Sequence, residues 1–176
     1  VEHLQIITGE LMKGVPEKRP FRVGSFTVIP FYLPHTTRDK DTGQLIPCFN
    51  YGYIVEHEEM GKLLYMTDFE YCKYNFKAMR LNHLVIECNY CNELVDKTAE
   101  NYAHRLKGHC SLDTCKRLVN MNHTAALRTV TLVHLSKEAA EPEQILKEIK
   151  EAVVWDDALV QIATPGLEVN LDLCPF

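Results

Sequence analysis

A chain of 176 residues, 46% hydrophobic and 24% charged, can bury one full core and is too apolar to be disordered. Its net charge of −5 argues against a broad nucleic-acid surface, because duplex binding rests on clustered Lys and Arg. No apolar run reaches the ~20 residues that cross a bilayer and the N-terminus has no signal-peptide pattern, so a cytoplasmic protein with no membrane partner is expected. Its seven cysteines, odd in number and scattered, fit reduced thiols better than a disulfide framework.

Residues 1–20 are interrupted by Gly14, Pro16 and Pro20 and read as a connecting segment with one short strand at Leu4–Thr8. A domain over residues 21–176 follows. Phe21–Phe31 reads as a hairpin around Gly24-Ser25, with Pro30 suited to an edge or bulge. Thr36–Pro47 is polar and contains Asp-Thr-Gly, which predicts a loop directly after His35. Asn50–Glu56 and Lys62–Thr67 form a second hairpin across His57–Gly61. Leu84–Cys88 is a short, continuously apolar strand.

Helical periodicity appears over Glu93–Leu106, with Gly108 placed to stop it in the left-handed conformation. Ser111 is suited to cap Leu112–Asn120. Leu127–Leu135 is a β-branched strand. Pro142 opens a helix over Glu143–Val153, where Ile145, Ile149 and Val153 recur every four residues, and the lone Trp155 anchors its end. Ala158–Ala163 is a further strand, Pro165-Gly166 turns, and Leu167–Leu171 alternates.

Three apolar runs each close on a potential metal ligand: Phe26–Leu33 on Pro34-His35, Lys62–Met66 on Thr67-Asp68, and Val130–Val133 on His134-Leu135-Ser136. Strand ends suit a hydrolytic metal site, since the sheet holds the ligand while the adjoining loop admits substrate. Taken singly, His35 is an exposed histidine before a loop, Asp68 a turn residue and His134 a buried histidine. A rival zinc site is a ribbon of Cys88-x2-Cys91 and Cys110-x4-Cys115 with His109 as a spare ligand. Cys88 at a strand end and Cys115 on an inward helix face also read as small core hydrophobes. A Cys88–Cys91 redox pair is weaker, because it does not open a helix. The aromatic stretch Phe69–Phe76 suits either base stacking or packing over a strand end. Glu56-His57-Glu58-Glu59 reads as a solvated hairpin tip.

Thr67-Asp68, Glu87-Cys88-Asn89, Gly108-His109-Cys110-Ser111 and Leu132–Ser136 occur in the order and approximate spacing of the later motifs of metallo-β-lactamase-fold hydrolases. Over residues 20–176 the chain resembles the small bacterial and phage-associated branch related to ribonuclease Z-type phosphodiesterases. The fold so implied is α/β, the C-terminal portion of an αββα metallo-β-lactamase-like sandwich. The resemblance implies His35, Asp68 and His134 as ligands of a divalent metal, zinc or manganese, with Asp68 bridging two ions. It also implies His109 as the histidine that assists the leaving group and Glu87 as its orienting partner, acting on a nucleotide-like phosphodiester or small-molecule substrate.

The family's H-x-H-x-D-H loop occurs nowhere in the sequence, and no two histidines stand two apart. The polypeptide is therefore expected to be a truncation or one member of a split pair, an incomplete enzyme whose partner is a separate N-terminal half or a second copy of itself. The alternative is a non-catalytic module that kept the fold and lost the site.

Overall fold

The computed structural model describes residues 17–153 and 158–174. Seven strands lie in one sheet in chain order: β1 (Phe21–Val23), β2 (Phe26–Arg38), β3 (Leu45–His57), β4 (Gly61–Met66), β5 (His83–Glu87), β6 (Thr129–Val133) and β7 (Leu159–Ile162). The first four pair antiparallel and the last three run parallel to β4. The change of direction follows from connection length, since a tight turn can only reverse a strand whereas a parallel partner needs a longer crossover. Gly61 makes the tight turn before β4 possible. Its φ is +73°, and a Cβ there would stand 2.3 Å from Asn82 Oδ1.

Helices occupy two of the three crossovers, α1 (Tyr102–Gly108) and α2 (Leu112–Asn122) between β5 and β6 and α3 (Pro142–Ala152) between β6 and β7, while the β4–β5 crossover has a 3-10 turn at Lys77–Met79. Alternate strand residues build one buried face from Phe31, Leu33, Ile54, Leu64, Met66, Leu84, Ile86, Val130 and Leu132. This face joins a core with Cys115, Leu118 and Val119 of α2 and Ile145 and Ile149 of α3. The opposite face is only partly covered: Tyr51, Tyr53, Leu63, Val85 and Val133 are half-buried and Tyr65 is exposed. Ser111 caps α2 by accepting from Thr114 N–H, and Pro142 opens α3.

Several elements differ from expectation. Thr36–Pro47 is not a loop. β2 and β3 stay paired to Arg38↔Leu45, because β-branched Thr36, Thr37 and Ile46 favour extended backbone. Only residues 39–44 turn, held by Asp39 Oδ1, which accepts from the backbone N–H groups of Asp41 and Thr42 and from the Thr42 hydroxyl. The helix expected over Glu93–Leu106 is a single 3-10 turn at Asn92–Leu94 followed by the later α1. Asp96 breaks the periodicity by accepting from both the backbone and the hydroxyl of Thr98, a local turn that competes with the helix.

Gly108 does not end α1 in the left-handed conformation. It lies within the helix and His109 follows in extended backbone. Leu167–Leu171 forms no strand, and this segment is instead tied down by Leu173 N–H donating to Glu59 O. Residues 17–20 are anchored through Lys18 N–H to Pro30 O and Glu17 to Tyr74. The expected strand at Leu4–Thr8 and the anchor at Trp155 fall outside the described residues.

Most rings of the Phe69–Phe76 stretch pack, with Tyr71 left exposed. Phe69 and Phe76 are buried, and Phe31 meets Phe76 and Tyr74 at centroid distances of 4.9 and 5.6 Å. His57 is not a free tip residue, because its ring lies 4.6 Å from that of Phe26.

Candidate metal centre

β4, β5 and β6 are parallel and in register, so their C-terminal ends deliver Asp68, Glu87 and His134 to one rim of the sheet. Asp68 (φ 55°) and His134 (φ 59°) both turn into the left-handed region as they leave their strands. That conformation costs a non-glycine residue roughly 1–2 kcal/mol and needs surrounding support. Two asparagines supply it. Asn50 Nδ2 donates to the carbonyls of Thr67 and Asp68, and Asn89 Nδ2 donates to the carbonyl of His134 at 2.7 Å. Each candidate ligand thus stands on a bent strand end whose peptide oxygen is pinned by a side-chain amide.

Glu87 lies between them, fully buried at the end of β5. Its Oε1 is 2.7 Å from His109 Nδ1 and 3.1 Å from His134 Nδ1, and its Oε2 accepts from Phe69 N–H at 3.2 Å. Asp68 Oδ1 stands 3.3 Å from His134 Nδ1 and 3.8 Å from His109 Nδ1. Burial by itself would raise the Glu87 carboxyl, but hydrogen bonds from His109 and His134 outweigh it and hold the group below the usual carboxylate range. His134 moves the other way. Its hydrogen bond to Glu87 raises it above the ordinary imidazole value against the effect of burial.

Asp68, Glu87, His109 and His134 each offer one donor atom, and these four atoms lie within 4.8 Å of one another. Two imidazoles and two carboxylates suit a borderline or hard divalent ion, so the donor set fits the metal that such a fold implies. Among the described residues this is the one such group of histidine, cysteine and acidic side chains. The cysteine ribbon does not assemble as a site. Cys88, Cys91, Cys110 and Cys115 are buried free thiols of the core, and burial raises Cys110 while a hydrogen bond with Cys88 and burial raise Cys115.

His35 stands beside the four rather than within it. Its Nδ1 is 2.7 Å from Gly108 O, and its ring centroid is 5.7 Å from that of His109. A carbonyl can only accept, so Nδ1 carries the proton and Nε2 of the neutral ring keeps its lone pair, as in a ligating histidine oriented by a backbone carbonyl. Gly108 lacks a side chain for a local reason: a Cβ there would meet His35 Cε1 at 3.2 Å.

His104 adds a further imidazole, 5.3 Å from the His109 ring and 5.9 Å from that of His35. Burial, then the neighbouring His109 and His35, hold it below the ordinary imidazole value. Neither His104 nor the two asparagines was singled out from the sequence as a site residue. The signal available was a pair of asparagines, one on the strand beside β4 and one just after β5. A cavity of about 210 Å³ opens beside the four donors, lined by Asn89, Asn101, His104, Arg105, His109, His134, Leu135 and Ser136.

No protein-family model matches this sequence, and no curated protein matches it. Solved structures do. The metallo-β-lactamase-fold protein YhfI from Bacillus subtilis superposes with a TM-score of 0.57 at 18% identity, over 85% of this chain and 51% of that one. Unliganded yeast PDE1 superposes with a TM-score of 0.57 at 17% identity, over 85% of this chain and 47% of that one. The chain therefore spans about half the length of each. With its ordered sheet, helical crossovers and metal-compatible rim, it has a mixed α/β fold of the metallo-β-lactamase type.

Proposed function

We propose that this chain is the ligand-bearing part of a metal-dependent phosphodiester hydrolase of cytoplasmic location. The observation that carries the reading is the convergence of four donor atoms from three parallel strand ends and the segment between α1 and α2. Asp68 and His134 of that group, with His35 from beside it, are the residues we assign to hold a zinc or manganese ion, which leaves Glu87 and His109 of the group for other roles. When bound, such an ion polarises the phosphoryl group and lowers the pKa of an attacking water.

The remaining chemistry falls to the chain's own side chains. Glu87, ionised and acceptor-only, fixes the proton of His109 on Nδ1 and so orients the ring, leaving its Nε2 edge for the leaving-group oxygen. Held in this orientation, His109 is the residue to which we assign proton donation to the leaving oxygen as the ester bond breaks. The sequence holds no H-x-H-x-D-H. We therefore place the ligands that this motif would supply to a two-metal site outside the present sequence.

Calorimetric titration with zinc and with manganese tests the assignment. The chain should take up at most one ion, weakly, and lose it with His134→Ala. Turnover of bis-p-nitrophenyl phosphate should fall with His109→Ala at constant ion content. Two tight equivalents untouched by His134→Ala would overturn the reading. A second reading, a non-catalytic module that retained the fold, is favoured by one contact: Glu87 Oε1 already receives both histidines, so the group is satisfied without an ion. Absence of any ion uptake would select it.

A further inference from the structure

The cavity beside the four donors has one lining residue with a permanent positive charge, Arg105 of α1. Arg105 is only 9% exposed as a residue, yet none of its side-chain nitrogens is both buried and without a partner, so its unpaired N–H groups are open to solvent. Among the described residues its side chain meets one acceptor, Glu138 Oε2, at 3.3 Å, and Glu138 itself is 79% exposed.

The neighbouring groups on the same wall are also donors. Ser136 Oγ accepts the backbone N–H groups of Glu138 and Ala139, which occupies its lone pairs and leaves the hydroxyl hydrogen to be given away. Asn101 lines the same space and carries an amide. His104 also lines this space, where burial and its histidine neighbours disfavour a positive charge on its ring.

We infer that Arg105, with Ser136 and Asn101, forms an anion subsite that receives a non-reacting phosphate of the substrate next to the metal centre. A planar fork of N–H donors matches two phosphate oxygens, and a low-dielectric wall strengthens the pairing. The substrate class that follows is a phosphodiester bearing a second phosphate, as an oligonucleotide does. Glu138 is the internal stand-in, an acid from the surface that occupies part of the guanidinium until the phosphate replaces it. This substrate class rests on the proposed hydrolytic reading, whereas the anion subsite itself does not.

Inorganic phosphate is the probe, titrated into the whole chain in EDTA and followed by the Arg105 Nε–H resonance and by calorimetry. Wild type should show saturable binding. Arg105→Gln should weaken it by about tenfold or more, and Glu138→Gln, a surface change that frees the guanidinium, should tighten it by about threefold. His134→Ala should leave it in place. Phosphate affinity within twofold of wild type for Arg105→Gln, or no tightening for Glu138→Gln, overturns the subsite. Should Arg105→Gln fail to fold, Glu138→Gln alone decides. Phosphate binding of this pattern in a chain that takes up no metal would count against the hydrolytic reading and leave the subsite standing.

Discussion

At the N-terminal end of β4, His57 stands between Ser25 and Glu59; at the C-terminal ends of β4, β5 and β6, His109 and His134 flank Glu87. By composition the first grouping is a serine, a histidine and an acid, and it borders the larger cavity, about 390 Å³ against about 210 Å³. Its proton is in the wrong place. His57 Nδ1 receives the backbone N–H of Glu59 at 3.3 Å, so that nitrogen is an acceptor and the ring proton sits on Nε2, 3.0 Å from Ser25 Oγ. A ring that donates to the serine cannot take the serine's proton, and Glu59 Oε2 at 3.8 Å is too far to reverse the tautomer. At the other end a buried carboxylate, able only to accept, sets both histidine protons. Cavity size and residue type do not separate these two ends, whereas the direction of the hydrogen bonds does.

The sharpest way to break this contrast is Glu87→Ala. It leaves His109, His134 and the Phe69 N–H facing an uncompensated void, and unfolding in urea should show a loss of about 3–5 kcal/mol. A loss under 1 kcal/mol would mean that the buried carboxylate does not organise this rim. Next in size is the response to ions. At a zinc concentration a hundredfold above its dissociation constant the wild-type chain should gain about 2.7 kcal/mol, and Asp68→Asn or His134→Ala should abolish the gain while His57→Ala leaves it intact. Equal gains in all variants would place the ion elsewhere.

The strands that present these groups were legible in the sequence because β4, β5 and β6 are continuous apolar runs ending on polar residues, a pattern that periodicity reads well. Arg105, His104 and the true start of α1 were not. Apolar residues from Leu94 to Leu106 imitate one helix, and the interruption depends on a single carboxylate, Asp96, turning back on Thr98. The extension of β2 and β3 past His35 was hidden for a similar reason. Asp-Thr-Gly marks a turn correctly, but only cross-strand pairing tells how few residues the turn takes. Other parts that sequence missed have partners farther along the chain: Asn50 bonds Thr67 and Asp68, and Asn89 bonds His134.

A smaller effect comes from His83, at the N-terminal end of β5. Its Nε2 faces Met60 O at 3.1 Å and so carries the proton, and its Nδ1 accepts from the Thr129 hydroxyl at 2.8 Å. Burial therefore lowers its pKa below the ordinary imidazole value. The unfolded chain binds this proton more readily than the folded one. Stability from this residue is accordingly full above pH ~6.5 and is lost as pH falls through the lower folded value. Thermal melts from pH 7.5 to 5 should show the midpoint dropping, and His83→Gln should flatten that slope. The smallest expected change is Ser25→Ala, within about 0.5 kcal/mol of wild type and without effect on ion uptake. A larger change in either would give the His57 end a role that its tautomer argues against.

The paired asparagines at the site carry a consequence for how such a centre is lost. Asn50 and Asn89 grip peptide oxygens, not the carboxylate of Asp68 or the imidazole of His134. The bends therefore persist whatever side chain projects from them. Replacement of either residue would remove a candidate ligand and leave the rim's outline untouched, so under the proposed reading a lineage carrying this architecture can lose the activity one residue at a time while its surface stays recognisable to whatever binds it.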